Sequence, residues 1–365
     1  MPVYLSMVII STLTLYWADR LNPYIADNNG SANTSKIKFT RLVLYCLAFT
    51  IPLMVSALRY NIGFDWESYT RLFRLINSYG METYMEFGFE ALVRFVFIFS
   101  PSPQYIFAVS GFIVILLIFL AIKQNSVYPA LSYFLFFALG HYFLSFGLVR
   151  NYIAVAICVW AYRYIKRDNM FMYVLFVLIA SAFHRTALIM LLVCFIVRLR
   201  IKFSYYVIII AAGVTIAILQ DPLFEIVFSI AHFEAYRDTV YMEFHVSYFN
   251  LIMSLAVSAG CLAYYKQMTE DRGGLILANT AFIALIMYIT MSGWTGWMLA
   301  RIAIFLNIMQ IFTIPKIISC ERRPDIRVFY TVCIIIAFSV FCIIFIESGG
   351  DHLLPYQSII NVYWR

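Results

Sequence analysis

Charged side chains are scarce in this chain of 365 residues. Only 12% of the residues are charged, whereas 63% are hydrophobic and 18% are aromatic. Polar surface on this scale is too small to cover a water-soluble globule of the same length. The composition therefore excludes an ordinary soluble domain and predicts an all-α, polytopic integral membrane protein.

The signatures of soluble cofactor enzymes are missing as well. The chain contains no glycine-rich phosphate loop, no Gly-x-Ser-x-Gly turn and no His-Glu-x-x-His helix. Its seven cysteines lie singly, mostly inside apolar runs, with no CxxC pair and no histidine at ligand spacing. We therefore expect neither a cofactor nor a metal ion.

Long apolar runs are what the chain does contain, and several approach the roughly 20 residues that span a bilayer. They lie at residues 3–17, 42–58, 105–122, 130–149, 151–165, 170–183, 186–197, 204–219, 249–265, 274–291, 302–315 and 327–346. We predict about 12 transmembrane helices. No repeat or long linker divides the chain, so residues 1–365 are predicted to form a single transmembrane domain.

The connecting loops predict the orientation. Alternating the spans places most of the 26 lysine and arginine residues on one side, which the positive-inside rule makes cytoplasmic. Most of the 19 acidic residues then face outward. The net charge of +7 is thus a sign of topology and gives no reason to expect a nucleic acid partner.

Three outward segments are long, at roughly residues 59–104, 220–248 and 347–365. They interleave aromatic residues with acids and bases, as in "RYNIGFDWESYTRLFRLINSYGMETYMEFGFEALVRF". We predict amphipathic loop helices there. Aromatic faces stack on sugar rings while charged groups bond hydroxyls, so a carbohydrate ligand fits these segments. An aromatic belt at the membrane interface would give the same composition.

Several charged residues stand beside runs too short to cross the bilayer. The runs flanking "FHRTAL" have about 14 and 12 residues, or about 21 and 18 Å of helix against a hydrocarbon core of about 30 Å. His184 and Arg185 are therefore expected below the outer surface, and Arg150 and Arg301 stand beside similarly short runs. Charged groups at that depth line a water-filled cavity or are buried in protein. We predict an outward-open vestibule ringed by these four residues.

Converging guanidinium groups favour an anion such as a diphosphate, which arginine binds in a bidentate manner. The run that contains Arg150 holds no acid, so we expect no private carboxylate partner for it. Arg59 and Asp65 are predicted near the lip of the vestibule. The alternative is that each arginine pairs with one acid or reaches lipid headgroups. Histidine exchanges a proton near neutral pH, which makes His184 the candidate base.

The same segments resemble the EpsG group of Wzy-type polysaccharide polymerases from about residue 50 to 360, in order and spacing. The matching segments are "RYNIGFDWESYTRLF", "EFGFEAL", "LVRNYIAVAICVWAYRYI", "LIASAFHRTALIMLL", "ARIAIFLNIMQIFTIP" and "LLPYQSII". The resemblance carries family features to the following residues: Arg59, Gly63, Asp65, Tyr69, Glu86, Gly88, Arg150 and His184. Family members often have glutamine after the central arginine, where this chain has Asn151.

This resemblance implies a bacterial inner-membrane glycosyltransferase similar to the C superfamily, with its active site facing outward. The implied donor and acceptor are oligosaccharide repeat units on undecaprenyl diphosphate. Arg150, His184 and Asp65 are the predicted catalytic residues, with Asp65 second to His184 as base. Glycan and diphosphate binding is predicted for six further residues: Arg59, Tyr69, Glu86, Asn151, Arg185 and Arg301.

The expected reaction is one displacement at the anomeric carbon, with inversion and without a metal. Partners implied by the resemblance are membrane lipid, a chain-length regulator and a flippase. Three other classes stay open: an O-antigen ligase with the same donor, a transporter or flippase of lipid-linked glycans, and a membrane O-acyltransferase. A transporter is less favoured because no internally repeated halves are visible, and an acyltransferase because its donor is cytoplasmic.

Overall fold

The computed structural model describes residues 1–21, 31–78, 85–200, 203–219, 248–290, 296–348 and 352–360. Within these ranges the chain is helical, and its strand-like pairing is a single bridge between Arg59 and Ser358. The chain forms two compact units, Met1–Arg185 with Arg323–Arg365, and Thr186–Arg322. That residues 1–365 act as one domain stays a prediction.

The helices are numbered here in chain order over the described ranges. The first nine are α1 (Pro2–Arg20), α2 (Ser31–Leu58), α3 (Trp66–Ser78), α4 (Phe87–Phe99), α5 (Gln104–Asn125), α6 (Pro129–Ala138), α7 (His141–Gly147), α8 (Val149–Lys166) and α9 (Met170–Ser181). A 3₁₀ turn at Arg185–Leu188 precedes α10 (Ile189–Ile196), α11 (Phe203–Ile218), α12 (Tyr248–Ala263), α13 (Tyr265–Met268), α14 (Arg272–Thr290), α15 (Gly296–Asn307) and α16 (Gln310–Cys320). Helix α17 (Pro324–Glu347) returns to the first unit.

Local sequence explains several helix ends. Proline is the first residue of α1, α6 and α17, where its missing N–H costs no helical hydrogen bond. The side chain of Asn169 caps α9 by accepting a hydrogen bond from the amide of Met172 at 3.1 Å. Gly140 has a φ of +82° and separates α6 from α7, which are bent by 46°.

The apolar runs predicted from the sequence all fall on helices or helix pairs. Five described helical segments are long and apolar enough to cross a membrane, or six if the bent pair of α6 and α7 counts as one span. They are Ser35–Leu58, Gln104–Asn125, Arg272–Thr290, Ala300–Cys320 and Pro324–Glu347. An all-helical membrane protein is confirmed, while the number of 12 spans and the likeness to the C superfamily stay predictions.

Helix α17 displays the surface of a membrane helix. Large apolar side chains recur every fourth residue along it and remain exposed, at Val328, Val332, Ile336, Val340 and Ile344. This spacing places them on one helix face. A continuous exposed apolar stripe is unfavourable in water but suits contact with lipid.

The core of the first unit satisfies a backbone group that a proline leaves unpaired. Pro52 lies inside α2 and has no N–H, so the carbonyl of Ala48 lacks its helical donor. The buried hydroxyl of Tyr133 donates to that carbonyl at 2.9 Å. Tyr142 likewise donates to the carbonyl of Pro52 at 2.6 Å. The aromatic residues of α6 and α7 therefore hold α2 as well as filling the core.

The closing segment meets the loop that follows α2. The amide of Tyr60 donates to the carbonyl of Gln357 at 2.9 Å, beside the bridge between Arg59 and Ser358. The hydroxyl of Tyr356 donates to the carbonyl of Val55 at 3.1 Å. The first and last sequence motifs therefore form one structural element. The predicted outward loop 59–104 contains α3 and α4, whereas most of 220–248 lies outside the described residues.

Candidate functional site

One carboxylate joins three separate segments of the first unit. Glu86 immediately precedes α4, and its Oε2 accepts a hydrogen bond from Nη1 of Arg150 in a close ion pair. Its Oε1 lies 3.2 Å from Nδ1 of His184 and 3.3 Å from the backbone amide of Arg185. Arg150, His184 and Arg185 thus all contact Glu86, and all four residues were predicted for the site. We call Glu86, Arg150, His184 and Tyr69 the Glu86 cluster.

A glycine explains how Glu86 reaches the turn after α9. The amide of Gly88 donates to the carbonyl of Ala182 at 2.8 Å. A Cβ at position 88 would lie 2.7 Å from that same oxygen, a distance that side-chain carbons do not tolerate. Glycine therefore permits the backbone contact that places Glu86 against His184.

Arg150 lies in the first turn of α8, and its side chain is partly buried. In addition to the ion pair, its Nε donates to the hydroxyl of Tyr69 at 3.4 Å. The expectation that Arg150 has no carboxylate partner was wrong. Its own run holds no acid, but Glu86 arrives from a segment 64 residues earlier. The guanidinium has five N–H donors, so these two contacts leave donors for a ligand.

The two ring nitrogens of His184 differ in their hydrogen bonding. Glu86 can only accept a hydrogen bond when ionised, so Nδ1 of His184 carries the proton that points at it. The other ring nitrogen, Nε2, is buried and has no hydrogen-bond partner among the residues that the structure describes. In this tautomer of a neutral imidazole, Nε2 carries a lone pair that can accept a hydrogen bond or a proton.

Electrostatics keep Glu86 ionised. Burial favours its neutral form, but the hydrogen bond with His184 and the charge of Arg150 outweigh burial and lower the pKa of Glu86 from 4.5 to about 2. The carboxylate is therefore a poor proton acceptor near neutral pH. Its chemistry suits orienting and charge-balancing its neighbours.

Tyr69 connects the cluster to Asp65. The amide of Tyr69 donates to the carbonyl of Asp65 at 3.0 Å, at the start of α3. The Tyr69 ring is buried edge-on against Phe89, with centroids 5.5 Å apart. Burial raises the pKa of Tyr69 even though Arg150 opposes the shift, so the phenol stays protonated. Its hydroxyl accepts from Arg150 and keeps its own proton to donate.

Gly63 positions the start of α3. It has a φ of +106°, and a Cβ there would lie 2.4 Å from the carbonyl oxygen of Phe146. Both the backbone conformation and the space therefore require glycine. Phe146 belongs to α7, just ahead of Arg150, so the contact fixes the Asp65 loop against the helix break that carries Arg150.

Arg59 is placed differently from Arg150. Its side chain is 1% exposed and lies over the rings of Phe146 and Phe107, at 4.3 and 5.3 Å from their centroids. Its Nη1 donates to the carbonyl and hydroxyl of Ser56 at 2.7 and 2.9 Å. Burial lowers the pKa of Arg59 to about 10, so it stays charged. Its predicted role in binding substrate stays a prediction.

The other predicted residues also differ in position. Asn151 is buried next to Arg150 in α8. The side chain of Arg185 is exposed, and its backbone amide is the group that contacts Glu86. Arg301 lies on α15 of the second unit, away in sequence from every other site residue. The ring of four residues and the vestibule therefore stay predictions.

Sequence reasoning missed the central position of Glu86. It assigned this residue to substrate binding by resemblance and gave it no partner within the protein. A signal was present in the predicted outward segment 59–104, because Gly88 stands there just ahead of a run of apolar residues, in the first turn of what the structure shows as α4. Glycine at such a position indicates a close backbone approach.

A scan against protein-family models matches the EpsG family over residues 42–358. The chain belongs to the EpsG family. The matched region contains every residue of the Glu86 cluster and both partners of the bridge between Arg59 and Ser358. Membership of the EpsG family indicates a polysaccharide polymerase type of function in a membrane. Searches of curated proteins and of solved structures gave no match.

Proposed function

We propose that this EpsG protein is an oligosaccharide repeat-unit polymerase of the bacterial cytoplasmic membrane. It transfers a growing glycan from undecaprenyl diphosphate to a sugar hydroxyl of the next lipid-linked repeat unit on the outer side. Family membership supports the type of reaction. The observation that carries the chemistry is the Glu86 cluster, in which one carboxylate orients an arginine and a histidine at once.

His184 is proposed as the general base. Its Nε2 has no hydrogen-bond partner in the described parts of the chain, which suits accepting the proton of the acceptor hydroxyl. Glu86 holds Nδ1 and stabilises the imidazolium that forms when Nε2 takes the proton. A carboxylate that orients a histidine in this way is a recurring arrangement among enzymes that activate hydroxyl groups. Asp65 is the second candidate base.

Arg150 is proposed to stabilise the diphosphate leaving group. Its Nη2 has no hydrogen-bond partner within the described residues, so it can donate to a phosphate oxygen while Nη1 stays on Glu86. The hydroxyl of Tyr69 adds a neutral donor next to it. Negative charge grows on the leaving diphosphate during bond cleavage, and fixed donors lower the energy of that transition state.

The atoms balance without a cofactor. The acceptor oxygen forms a bond to the anomeric carbon, the bond to the diphosphate oxygen breaks, and the hydroxyl proton passes to Nε2 of His184. A single displacement inverts the anomeric configuration. In the described parts of the chain no three His, Cys, Asp or Glu side chains group together as metal ligands. The proposed scheme assigns charge stabilisation to Arg150 in the place of a metal ion.

The test uses purified protein in liposomes with lipid-diphosphate repeat units as the only substrate. We expect a ladder of longer lipid-linked glycans, in the presence of EDTA as well. His184→Ala is expected to lower the rate about 10²–10⁴-fold, the usual effect of removing a catalytic base. A product that retains the anomeric configuration would exclude the single-step scheme.

Other outcomes contradict the proposal. Transfer onto lipid A core with no ladder means a ligase, and transport without a covalent change means a transporter. Full activity of His184→Ala would move the base to Asp65. Glu90→Gln is the control for substitutions in the Glu86 cluster and should elongate like wild type. Glu90 follows Glu86 by one helical turn and forms an exposed pair with Arg94 at 2.7 Å.

A further inference from the structure

The aromatic ring of Phe64 is exposed although its loop is ordered. Its side chain is 72% exposed, although the loop around it is tightly built. Gly63 before it is fixed against the carbonyl of Phe146, and the amide of Trp66 donates to the carbonyl of Gly63 at 3.0 Å. The loop therefore holds the ring in place without covering it.

The ring of His352 lies parallel to that of Phe64. The two ring planes differ by 5°, and their centroids are 6.3 Å apart. His352 is also exposed and has a φ of +52°. The chain after it is fixed, because the carbonyl of Leu353 accepts a hydrogen bond from the hydroxyl of Tyr4 at 3.1 Å. We call Phe64 and His352 the exposed stack.

Both halves of the exposed stack are tied to each other through the backbone. The bridge between Arg59 and Ser358 and the bond from Tyr60 to Gln357 join the two loops. A ligand that binds there meets rings whose loops are already ordered, so it pays little conformational entropy for their placement.

The exposed stack is connected to the Glu86 cluster along the chain. Phe64 is followed by Asp65, whose carbonyl accepts the amide of Tyr69, and Tyr69 contacts Arg150. One turn of helix, about 5.4 Å, separates Asp65 from Tyr69 along α3. A pyranose ring has a similar length, so one further sugar residue is enough to cover the distance from Asp65 to Tyr69.

The chemistry of the stack favours a sugar over lipid. A sugar ring offers an apolar C–H face to an aromatic plane and hydroxyls at its edge. Here the aromatic plane has an imidazole beside it and the Asp65 carboxylate next in sequence, and both groups form hydrogen bonds. Acyl chains would offer the exposed imidazole no hydrogen-bond partner. By contrast, Phe99 is equally exposed but ends the apolar helix α4.

We propose that Phe64 and His352 form a sugar-binding subsite, which holds a ring of the acceptor repeat unit next to the Glu86 cluster. This subsite rests on the proposed polymerase function and specifies how the acceptor glycan is placed. It assigns the closing segment of the chain, through His352, a direct part in substrate binding.

The first experiment compares Phe64→Ala, Phe64→Leu and Phe64→Trp with wild type in the liposome assay. Loss of the flat ring in the first two variants should raise KM for the lipid-linked repeat unit about 5–10-fold, with kcat changed less than twofold. Phe64→Trp should keep a KM close to wild type. Phe99→Ala is the control, since it removes an equally exposed ring away from the stack.

The second experiment is saturation-transfer NMR with the repeat-unit oligosaccharide released from its lipid. We expect transfer to sugar C–H protons with wild type and Phe64→Trp, and its loss with Phe64→Ala and His352→Ala. Unchanged KM and unchanged transfer in Phe64→Ala would overturn the subsite. An equal effect of Phe99→Ala would also overturn it and indicate a role at the membrane interface.

The two proposals fail in different ways. If wild type forms no ladder, the polymerase function fails, whatever the oligosaccharide shows. If wild type forms a ladder and the Phe64 variants behave like it, only the subsite fails. Elution of each variant as a single peak in size-exclusion chromatography verifies that the protein is folded.

Discussion

Glu86 shows how a single residue can control the charge of a site in which sequence reasoning expected Arg150 to have no carboxylate partner. The carboxylate balances Arg150, so the pair together is neutral and costs less to hold in a partly buried position than a lone guanidinium. The same carboxylate fixes His184. The unusual feature of this site is therefore a shared acid, and the arginine works within a network.

The lowered pKa of Glu86 predicts a dependence of stability on pH. A carboxyl group whose pKa falls from 4.5 to about 2 on folding stabilises the protein above about pH 4.5, and this contribution disappears as the pH falls toward 2. Thermal unfolding of wild type and Glu86→Gln in detergent should therefore differ by a constant amount from pH 5 upward. Below that the difference should shrink. A difference that grows on acidification would contradict the assignment, and Glu90→Gln is the control.

Arg150→Lys should separate charge from geometry. Lysine keeps the positive charge but cannot hold Glu86, Tyr69 and a phosphate oxygen with one planar group. We expect elongation to fall at least about 100-fold, comparable to removing a fixed transition-state donor, while the protein still inserts and folds. Glycan ladders on gels give the measurement. Arg163→Lys, at the other end of α8, is the control and should leave elongation close to wild type. A normal ladder from Arg150→Lys would exclude the proposed role.

Arg59→Met tests whether this buried arginine supports the fold or touches the substrate. Methionine keeps an apolar side chain beside Phe146 and Phe107 but loses the cation–π attraction to their rings and the hydrogen bonds to Ser56. From its burial we expect a loss of about 1–3 kcal/mol in stability with partial retention of elongation. Unchanged thermal unfolding with abolished elongation would instead favour the substrate-binding role predicted from the sequence.

At the scale of helices and turns, glycine decides whether the site assembles. Gly88→Ala would push a methyl group into the carbonyl of Ala182, so α4 must move away from the turn after α9 and carry Glu86 with it. We expect a cost of about 1–3 kcal/mol, as for other overpacked positions, together with a loss of elongation larger than the stability change explains.

Gly213→Ala provides the comparison for Gly88→Ala. Its added methyl group would meet a side-chain methyl of Ile286 at 3.3 Å, which can shift slightly. Alanine also favours the helix by up to about 1 kcal/mol. Thermal unfolding and ladder formation should therefore stay close to wild type. Similar effects of both substitutions would mean that the close contact between Gly88 and Ala182 does not explain the loss in Gly88→Ala.

The helices were predictable from the sequence to a greater degree than the site. Long apolar runs and prolines mark helices by local physics, so α1, α5 and α17 follow from the sequence. The contacts of Glu86 are different, because they join positions 64 and 98 residues apart. No local pattern encodes such a pairing, and the resemblance supplied the residues without supplying their partners.

For the whole molecule, the division into two units assigns Arg301 to a different unit from the other predicted site residues. Every residue of the Glu86 cluster lies in Met1–Arg185, and the closing segment, which pairs with the Arg59 loop, belongs to the same unit. Arg301 belongs to the other unit, so a contribution from it requires both units to act on one substrate. The proposed chemistry of His184 and Arg150 does not depend on that contribution.

The proposed reaction also requires the Glu86 cluster to face outward, because lipid-linked repeat units are joined there. Exposed positions on opposite predicted sides test this orientation: Glu67 on α3 for the outer side and Arg167 after α8 for the cytoplasmic side. In intact cells, with the exposed cysteines Cys46 and Cys333 replaced, a membrane-impermeant thiol reagent should label Glu67→Cys and spare Arg167→Cys. Permeabilised cells should show both labelled. The reverse pattern would place the cluster on the cytoplasmic side. It would contradict the orientation predicted by the positive-inside rule, and with it the proposed reaction on the outer side.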